Sequence, residues 1–218
     1  MKTFRHVPVD LPLIKQVNLE NKRLYETSMG NKYPSITTVL SEYNKHVIME
    51  WRKRVGADNA NSIAAAASRR GTKVHSIIEA YLKNDDAPIE DKLDLDRFFS
   101  LEPFLDCIDN IHVQEKGLYS DHLRIAGTVD CIAEYNGKLS VIDFKTSSKP
   151  KKKEWIDNYF MQCAAYAIMY EERTGTPINR LVIMISVEQD APQIFLEKRD
   201  NWVKQLLHYR DLYERKKT

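Results

Sequence analysis

Residues 127–147 read "GTVDCIAEYNGKLSVIDFKTS". Asn136-Gly137 lies between two apolar runs, and Asn-Gly is the strongest short signal for a two-residue hairpin. With Tyr135 opposite Lys138, paired positions sum to 273. That register puts Ile132 across from Val141 and Asp130 across from Asp143. Lys145 follows Asp143 by two residues and so shares its face. The pairing predicts two carboxylates about 4.5–5.5 Å apart at Cβ, with an amine beside them. Ile132, Leu139 and Val141 occupy the same face nearer the turn. Like charges directly opposite are unfavourable, and burial raises the cost unless a proton or a cation sits between them. A hard divalent cation such as Mg²⁺ is held by one or two carboxylates together with water and substrate phosphate. Lys145 suits the same site, where it steadies a phosphate oxygen or an attacking water. The competing reading is an Asp–Lys–Asp ion network on an exposed sheet end.

The rest of the 218-residue chain allows one domain of ordinary globular composition. There is no run of 18 apolar residues, so no membrane span is expected. The N-terminus "MKTFRHVPVDLPL" has neither a long apolar stretch nor the make-up of a transit peptide. Cys107, Cys131 and Cys163 are widely spaced among apolar neighbours and read as small core residues in a reducing cytoplasm. Charge is uneven. Residues 1–83 hold 14 Lys/Arg against 7 Asp/Glu, residues 84–145 hold 6 against 14, and residues 146–218 hold 13 against 10. A basic first third suits a polyanion partner, although a solvated helical face accounts for it equally.

Along the chain, residues 1–33 read as an arm or a short strand. Ser35 is placed as the N-cap of a helix beginning in "PSITTVL". Helices follow over about 45–55, 59–83 (capped by Asp58) and 92–109, the last broken or kinked at Pro103. Three strands then form a meander, and a helix over 154–173 leads to "RLVIMISV", the pattern of a strand buried on both faces. An edge strand "QIFLE" and a helix over 200–216 close the chain.

Further chemistry clusters around the hairpin. Gln162 and Tyr166 lie four apart on one helical face, directly after the strand bearing Lys145. Lys149, Lys151, Lys152 and Lys153 fill the connection between them. Upstream, Gly71, His75 and Glu79 share a helical stripe, beside Arg69, Arg70 and Lys73. A glycine inside a helix costs about 1 kcal/mol relative to alanine, which points to a close approach at Gly71.

Taken in order, His75, "GTVD" with Asp130, "VIDFKTS" with Asp143-Phe144-Lys145, and "QCAAY" from Gln162 to Tyr166 resemble the PD-(D/E)XK nuclease superfamily. Within it they resemble the RecB-like branch, and there the group of mitochondrial genome maintenance exonucleases with their phage and bacterial relatives. The likeness runs over about residues 33–215. Val129 stands where the family name has Pro. The cysteines of an iron–sulfur cluster are absent, so no cluster is expected, and there is no Walker A motif, so no ATP is expected.

The resemblance implies the α/β restriction-endonuclease-like fold, a central mixed sheet flanked by helices with a helical region before it. It implies a Mg²⁺- or Mn²⁺-dependent DNA exonuclease preferring single strands with free ends. Asp130, Asp143, the Phe144 carbonyl and His75 would hold metal, with Glu79 and Glu115 in reserve. Lys145 would position or deprotonate the attacking water, and Gln162 and Tyr166 would orient DNA at the scissile phosphate. Ser35, Arg69, Arg70, Lys73, Lys149 and Lys151 are the expected further DNA contacts. On this reading residues 1–33 are an N-terminal arm, 34–110 a helical DNA-binding region with the His75 helix, and 111–218 the nuclease core of one compact domain. The expected setting is the cytoplasm of a bacterium or of a phage-infected host, with replication or recombination proteins as partners. A structure-specific or restriction-type endonuclease and a catalytically silent nucleic-acid-binding module are the alternatives.

Overall fold

A computed structural model describes residues 2–19, 22–87 and 91–216. Its centre is a five-stranded sheet in the order β4-β5-β6-β7-β8. The strands are β4 (Ile108–Ser120), β5 (Ile125–Tyr135), β6 (Lys138–Ser147), β7 (Arg180–Val187) and β8 (Gln193–Lys198). The meander β4-β5-β6 is antiparallel, as alternation and the Asn-Gly turn predict. Asn136 and Gly137 both have positive φ, +49° and +69°, as a primed two-residue turn requires. From β6 the chain crosses through α5 (Asp157–Thr174) and returns in β7, parallel to β6. β8 pairs antiparallel to β7 at the edge.

Two apolar layers sandwich this sheet. On one face Ile132, Val141, Ile183 and Ile185 pack with Phe160, Ala164 and Met169 of α5 and Leu206 of α6 (Asp200–Arg215). Trp202 of α6 stacks on Phe160 with centroids 4.9 Å apart. On the other face Cys131, Ile142, Phe144, Val182 and Met184 meet Val74, Ile78 and Leu82 of α3 (Ala57–Lys83) and Phe98 and Leu101 of α4 (Lys92–Leu105). β7 supplies side chains to both layers, as its unbroken apolar run predicts. Each such side chain, fully buried, stabilises the fold by about 1.5–3 kcal/mol, so a charge placed in either layer requires compensation.

The N-terminal region, expected to be an arm or a short strand, holds three strands. β1 (Ile14–Leu19), β2 (Lys22–Thr27) and β3 (Lys32–Pro34) form a three-stranded antiparallel sheet. It docks on the far ends of β4 and β5. Tyr25 Oη lies 3.2 Å from Thr128 Oγ1, and Tyr33 stacks on Tyr119. A Cβ on Gly117 would fall 2.5 Å from Ile14 Cγ1, so this glycine admits β1. Before it, Val7 N–H donates to Ile111 and Ile111 N–H donates to Arg5, which adds a short rung to β4. These strands are short and half polar, and the surface they dock on lies about a hundred residues away, so their own pattern announces them weakly.

Two helix ends also differ. Gly56, with φ +84°, precedes α3, and Asp58 sits in the first turn instead of capping it. α4 ends at Leu105 with Pro103 in its last turn, because β4 begins at Ile108. α2 (Lys45–Val55) buries no residue, and in the first half of α3 only Ala60 is buried. The pair forms a projecting helical hairpin that carries Arg52, Lys53, Arg54 and Arg69.

Candidate active site

The predicted register holds from Tyr135↔Lys138 to Cys131↔Ile142 and ends there. Asp130 does not continue the ladder opposite Asp143. Its Oδ2 accepts the Phe144 N–H at 2.9 Å. β6 is paired in parallel with β7 at this level, and β5 is released from it. The Asp130 carboxylate takes the place of the missing ladder carbonyl.

On the other side of β5, the pairs Gln114↔Cys131 and Lys116↔Val129 bracket Glu115 and Asp130. Glu115 has φ +46°, a left-handed step that costs a non-glycine residue about 1–3 kcal/mol. His75 Nδ1 lies 3.6 Å from Glu115 Oε1 and 3.8 Å from Asp130 Oδ2. Ligand atoms of these three residues all fall within 4.8 Å of one another. The β4–β5 pairing brings Glu115, a reserve ligand from sequence, to the centre of the site.

His75 Nε2 is 2.8 Å from the Phe144 carbonyl oxygen. A carbonyl only accepts, so Nε2 carries a proton and Nδ1 faces the carboxylates. Burial pulls the His75 pKa down, but the facing Glu115 carboxylate and the Asp130 charge outweigh it and raise it to about 9. Without metal the ring is a cation at neutral pH, its Nδ1 proton aimed at the two carboxylates.

Asp143 flanks this trio without joining it. It is 1% exposed. Its Oδ1 has no hydrogen-bond partner, while Oδ2 lies 2.5 Å from Lys145 Nζ. Burial pushes its pKa up, Lys145 opposes this, and Asp130 adds to it, leaving it at about 6. Burial disfavours the Lys145 cation, yet Asp143 and Asp130 hold its pKa above the ordinary value. Nζ also sits 5.1 Å from the Tyr159 ring centroid. Lys145 is therefore a fixed positive charge, suited to holding a water or a phosphate oxygen and unsuited to taking a proton.

Tyr166 is 2% exposed, with Gln162 Nε2 donating to its hydroxyl at 3.4 Å. Burial, then the Asp130 charge, raises its pKa well above the usual value, so the phenol stays neutral. Gln162, half-buried, is the member of this pair nearer solvent. A Cβ on Gly127 would lie 2.8 Å from Tyr166 Oη and 3.1 Å from Ile36 Cγ2. The close approach expected at Gly71 is found instead at Gly127. A Cβ on Gly71 would meet only Thr146 Oγ1, at 4.0 Å.

The other expected contacts are scattered. Ser35 caps α1 (Ile36–Val39) and is fully buried. Its hydroxyl is engaged by Thr38 N–H, Thr37 and Thr38 at 3.1, 3.0 and 2.7 Å, so capping uses the group expected to meet phosphate. Arg70 lies 3.7 Å from Glu188 and Lys73 3.8 Å from Asp94, and Arg97 bridges both acids. This network ties α3 to α4 and the end of β7. Arg69 and Lys149 are exposed. The Lys151 backbone is clamped by the Gln193 amide through two hydrogen bonds. Glu79 is paired with Lys83 at 2.5 Å and lines a cavity of about 460 Å³ with Gly71, Thr72, His75, Ser76 and Glu115.

The donor set fits a hard divalent cation. Two carboxylates and an imidazole converge, and a third carboxylate beside them keeps one buried oxygen without a partner.

Residues 97–216, just over half the chain, match the family model of the PD-(D/E)XK nuclease superfamily. That span holds Glu115, Asp130, Asp143, Lys145, Gln162 and Tyr166. Mitochondrial genome maintenance exonuclease 1 of Homo sapiens is 26% identical over 208 residues, covering 86% of this chain and 60% of that protein. The Mus musculus protein of that name is 25% identical over 207 residues, covering 86% and 61%, and that of Xenopus tropicalis 26% over 205, covering 84% and 59%. The chain thus spans about 60% of the length of these curated relatives. A crystal structure from Eubacterium rectale superposes with a TM-score of 0.48 at 17% identity, covering 69% of this chain and 65% of that one. The family match runs through the strands that carry the acidic pair and the lysine, and the chain belongs to the PD-(D/E)XK nuclease superfamily.

Proposed function

We propose that this protein is a Mg²⁺- or Mn²⁺-dependent DNA exonuclease acting on single strands with free ends. The observation that carries this reading is the meeting of His75, Glu115 and Asp130 beside the buried Asp143–Lys145 pair. The exonuclease part rests on the names of the animal relatives. Glu115, Asp130 and His75 Nδ1 would hold the cation, with Asp143 as a further carboxylate available to it. The Phe144 carbonyl then acts through His75, fixing the ring by its Nε2–H bond. A bound divalent cation supplies a lowered water pKa and offsets charge on the phosphoryl oxygens.

The chain's own residues do the rest. Lys145 Nζ holds the attacking water or a non-bridging oxygen in line. Water adds to phosphorus, the P–O bond to the leaving nucleotide breaks, and the water's proton passes to solvent or to that leaving oxygen. Gln162, supported by Tyr166, reaches the strand at the scissile phosphate. The exposed Lys53, Arg54 and Arg69 of the projecting hairpin and its half-buried Arg52, with Lys149, attract the backbone. Cys107, Cys131 and Cys163 are unpaired, which supports a reducing compartment, the bacterial cytoplasm in our reading. Among the described residues no helix is long and apolar enough to cross a membrane.

Incubation of end-labelled linear and closed circular single-stranded DNA with Mg²⁺ tests the proposal. Degradation of the linear strand alone is expected. Linearised circles would reassign the protein as an endonuclease, and intact DNA throughout would overturn the catalytic reading.

A further inference from the structure

A second cavity, of about 680 Å³, lies at the open edge of β4 next to the proposed metal site. Its roof is residues 6–10 and its walls include Lys83, His112, Gln114 and Lys116. The roof is fixed: Val7 N–H donates to the Ile111 carbonyl, Ile111 N–H donates to the Arg5 carbonyl, and His6 Nε2 lies 2.9 Å from the Leu82 carbonyl. The cavity adjoins the first along α3. Glu79 lines the first cavity, its carbonyl accepts from Gln114 Nε2 at 2.8 Å, and its carboxylate pairs with Lys83. Lys116 directly follows Glu115 on β4.

Charge changes sign along this groove. At one end stand Glu115 and Asp130; at the other Lys83 is paired with Glu79, and Lys116 shares the cavity with Asp10 as its one lining carboxylate. Lys116 is exposed and forms no ion pair among the described residues. From His75 to Lys83 the helix rises about 12 Å at 1.5 Å per residue, so Lys83 lies well beyond the phosphate being cut, while Lys116 stands next to Glu115. The volume falls within the roughly 300–1,000 Å³ of small-ligand sites, room for a nucleotide unit and too little for a duplex.

We infer that this cavity holds a phosphate-bearing nucleotide of the strand being cut, away from the scissile bond, with Lys83 and Lys116 on its phosphate. The inference rests on the nuclease reading and adds a substrate subsite to it. The acidic end receives the phosphate through a cation, and the basic end receives the next part of the strand directly.

The test is anisotropy of fluorescent oligothymidylate in EDTA, titrated between about 50 and 200 mM salt. The proteins are wild type, Lys116→Gln, Lys116→Arg and Lys83→Gln/Lys116→Gln. Each lysine lost is expected to weaken binding about fivefold at 0.1 M salt and to lower the slope of log K against log salt by about 0.7. Lys116→Arg should bind as wild type, and with Mg²⁺ the KM of Lys116→Gln should rise by the same factor. Because Lys83→Gln also frees Glu79, the Lys116→Gln result decides. If wild type cuts the oligonucleotide and Lys116→Gln matches it in affinity and salt slope, the subsite is overturned and the nuclease reading stands. If wild type neither binds nor cuts, both fall.

Discussion

Asp130 Oδ2 accepts the backbone N–H of Phe144 at 2.9 Å, and this bond marks where β5 parts from β6. It fixes one carboxylate oxygen and directs the Phe144 carbonyl region toward His75, so a backbone separation becomes a site. Asp130→Asn keeps an acceptor for Phe144 and removes the charge. DNA cleavage should fall at least about a hundredfold, more than is usual for losing an outer partner of a metal site. The melting temperature should stay close to wild type. Retention of wild-type kcat by the purified variant would refute the assignment.

Lys145→Met removes the cation that Asp143 holds at 2.5 Å. Cleavage should be abolished. The fold survives because Asp143, already near 6, rises further and stays neutral. Its folded pKa then lies further above its unfolded value, so stability is present at low pH and lost as pH rises through the raised value. Melting of Lys145→Met against wild type should show a gap that widens from pH 5 to pH 8. A constant gap would contradict a buried, unpaired acid.

His75 supplies a second pH dependence in chelator. Its folded pKa of about 9 stands above the unfolded 6.5. The stabilisation is full below 6.5 and lost as pH rises through 9. The melting advantage of wild type over His75→Gln should shrink across that window. An NMR titration of the ring with its midpoint near 6.5 would rule out the ion contact with Glu115 and Asp130.

Metal dependence follows from the same ring. EDTA should stop cleavage, and Mg²⁺ or Mn²⁺ should restore it. Because His75 must give up its Nδ1 proton to bind metal, uptake at pH 7 should release close to one proton per site, measurable by calorimetry in buffers of different ionisation enthalpy. Full cleavage in chelator would remove the metal mechanism.

Gly127→Ala should destabilise the protein by about 1–3 kcal/mol, the range for overpacking, because its Cβ would meet Tyr166 Oη at 2.8 Å and Cε1 at 3.0 Å. Tyr166→Phe added to it should recover part of the loss by removing the hydroxyl. Chemical denaturation of the four proteins of that cycle gives the coupling, and additive losses would show that the two residues do not touch.

Much of this was legible from residues alone. Asn136-Gly137 can take the turn it takes because both positions tolerate positive φ, and the five pairs that follow are arithmetic from it. "RLVIMISV" announced its double burial, and Lys145 stands beside Asp143 as their spacing of two predicts. Ser35 caps α1 as its place before "ITTVL" predicts, and capping is what engages its hydroxyl.

What the chain order alone determined is everything carried by neighbours in sequence: the hairpin, the helical faces, the alternation that shares Asp143 and Lys145 with one side of the sheet. Only the tertiary structure decided that the ladder ends at Cys131, that Glu115 meets His75 and Asp130, and that the first three strands dock on Gly117. Pairing across long connections is set by packing and by left-handed steps such as that at Glu115, whose energies depend on partners distant along the chain, so no local pattern could reveal them.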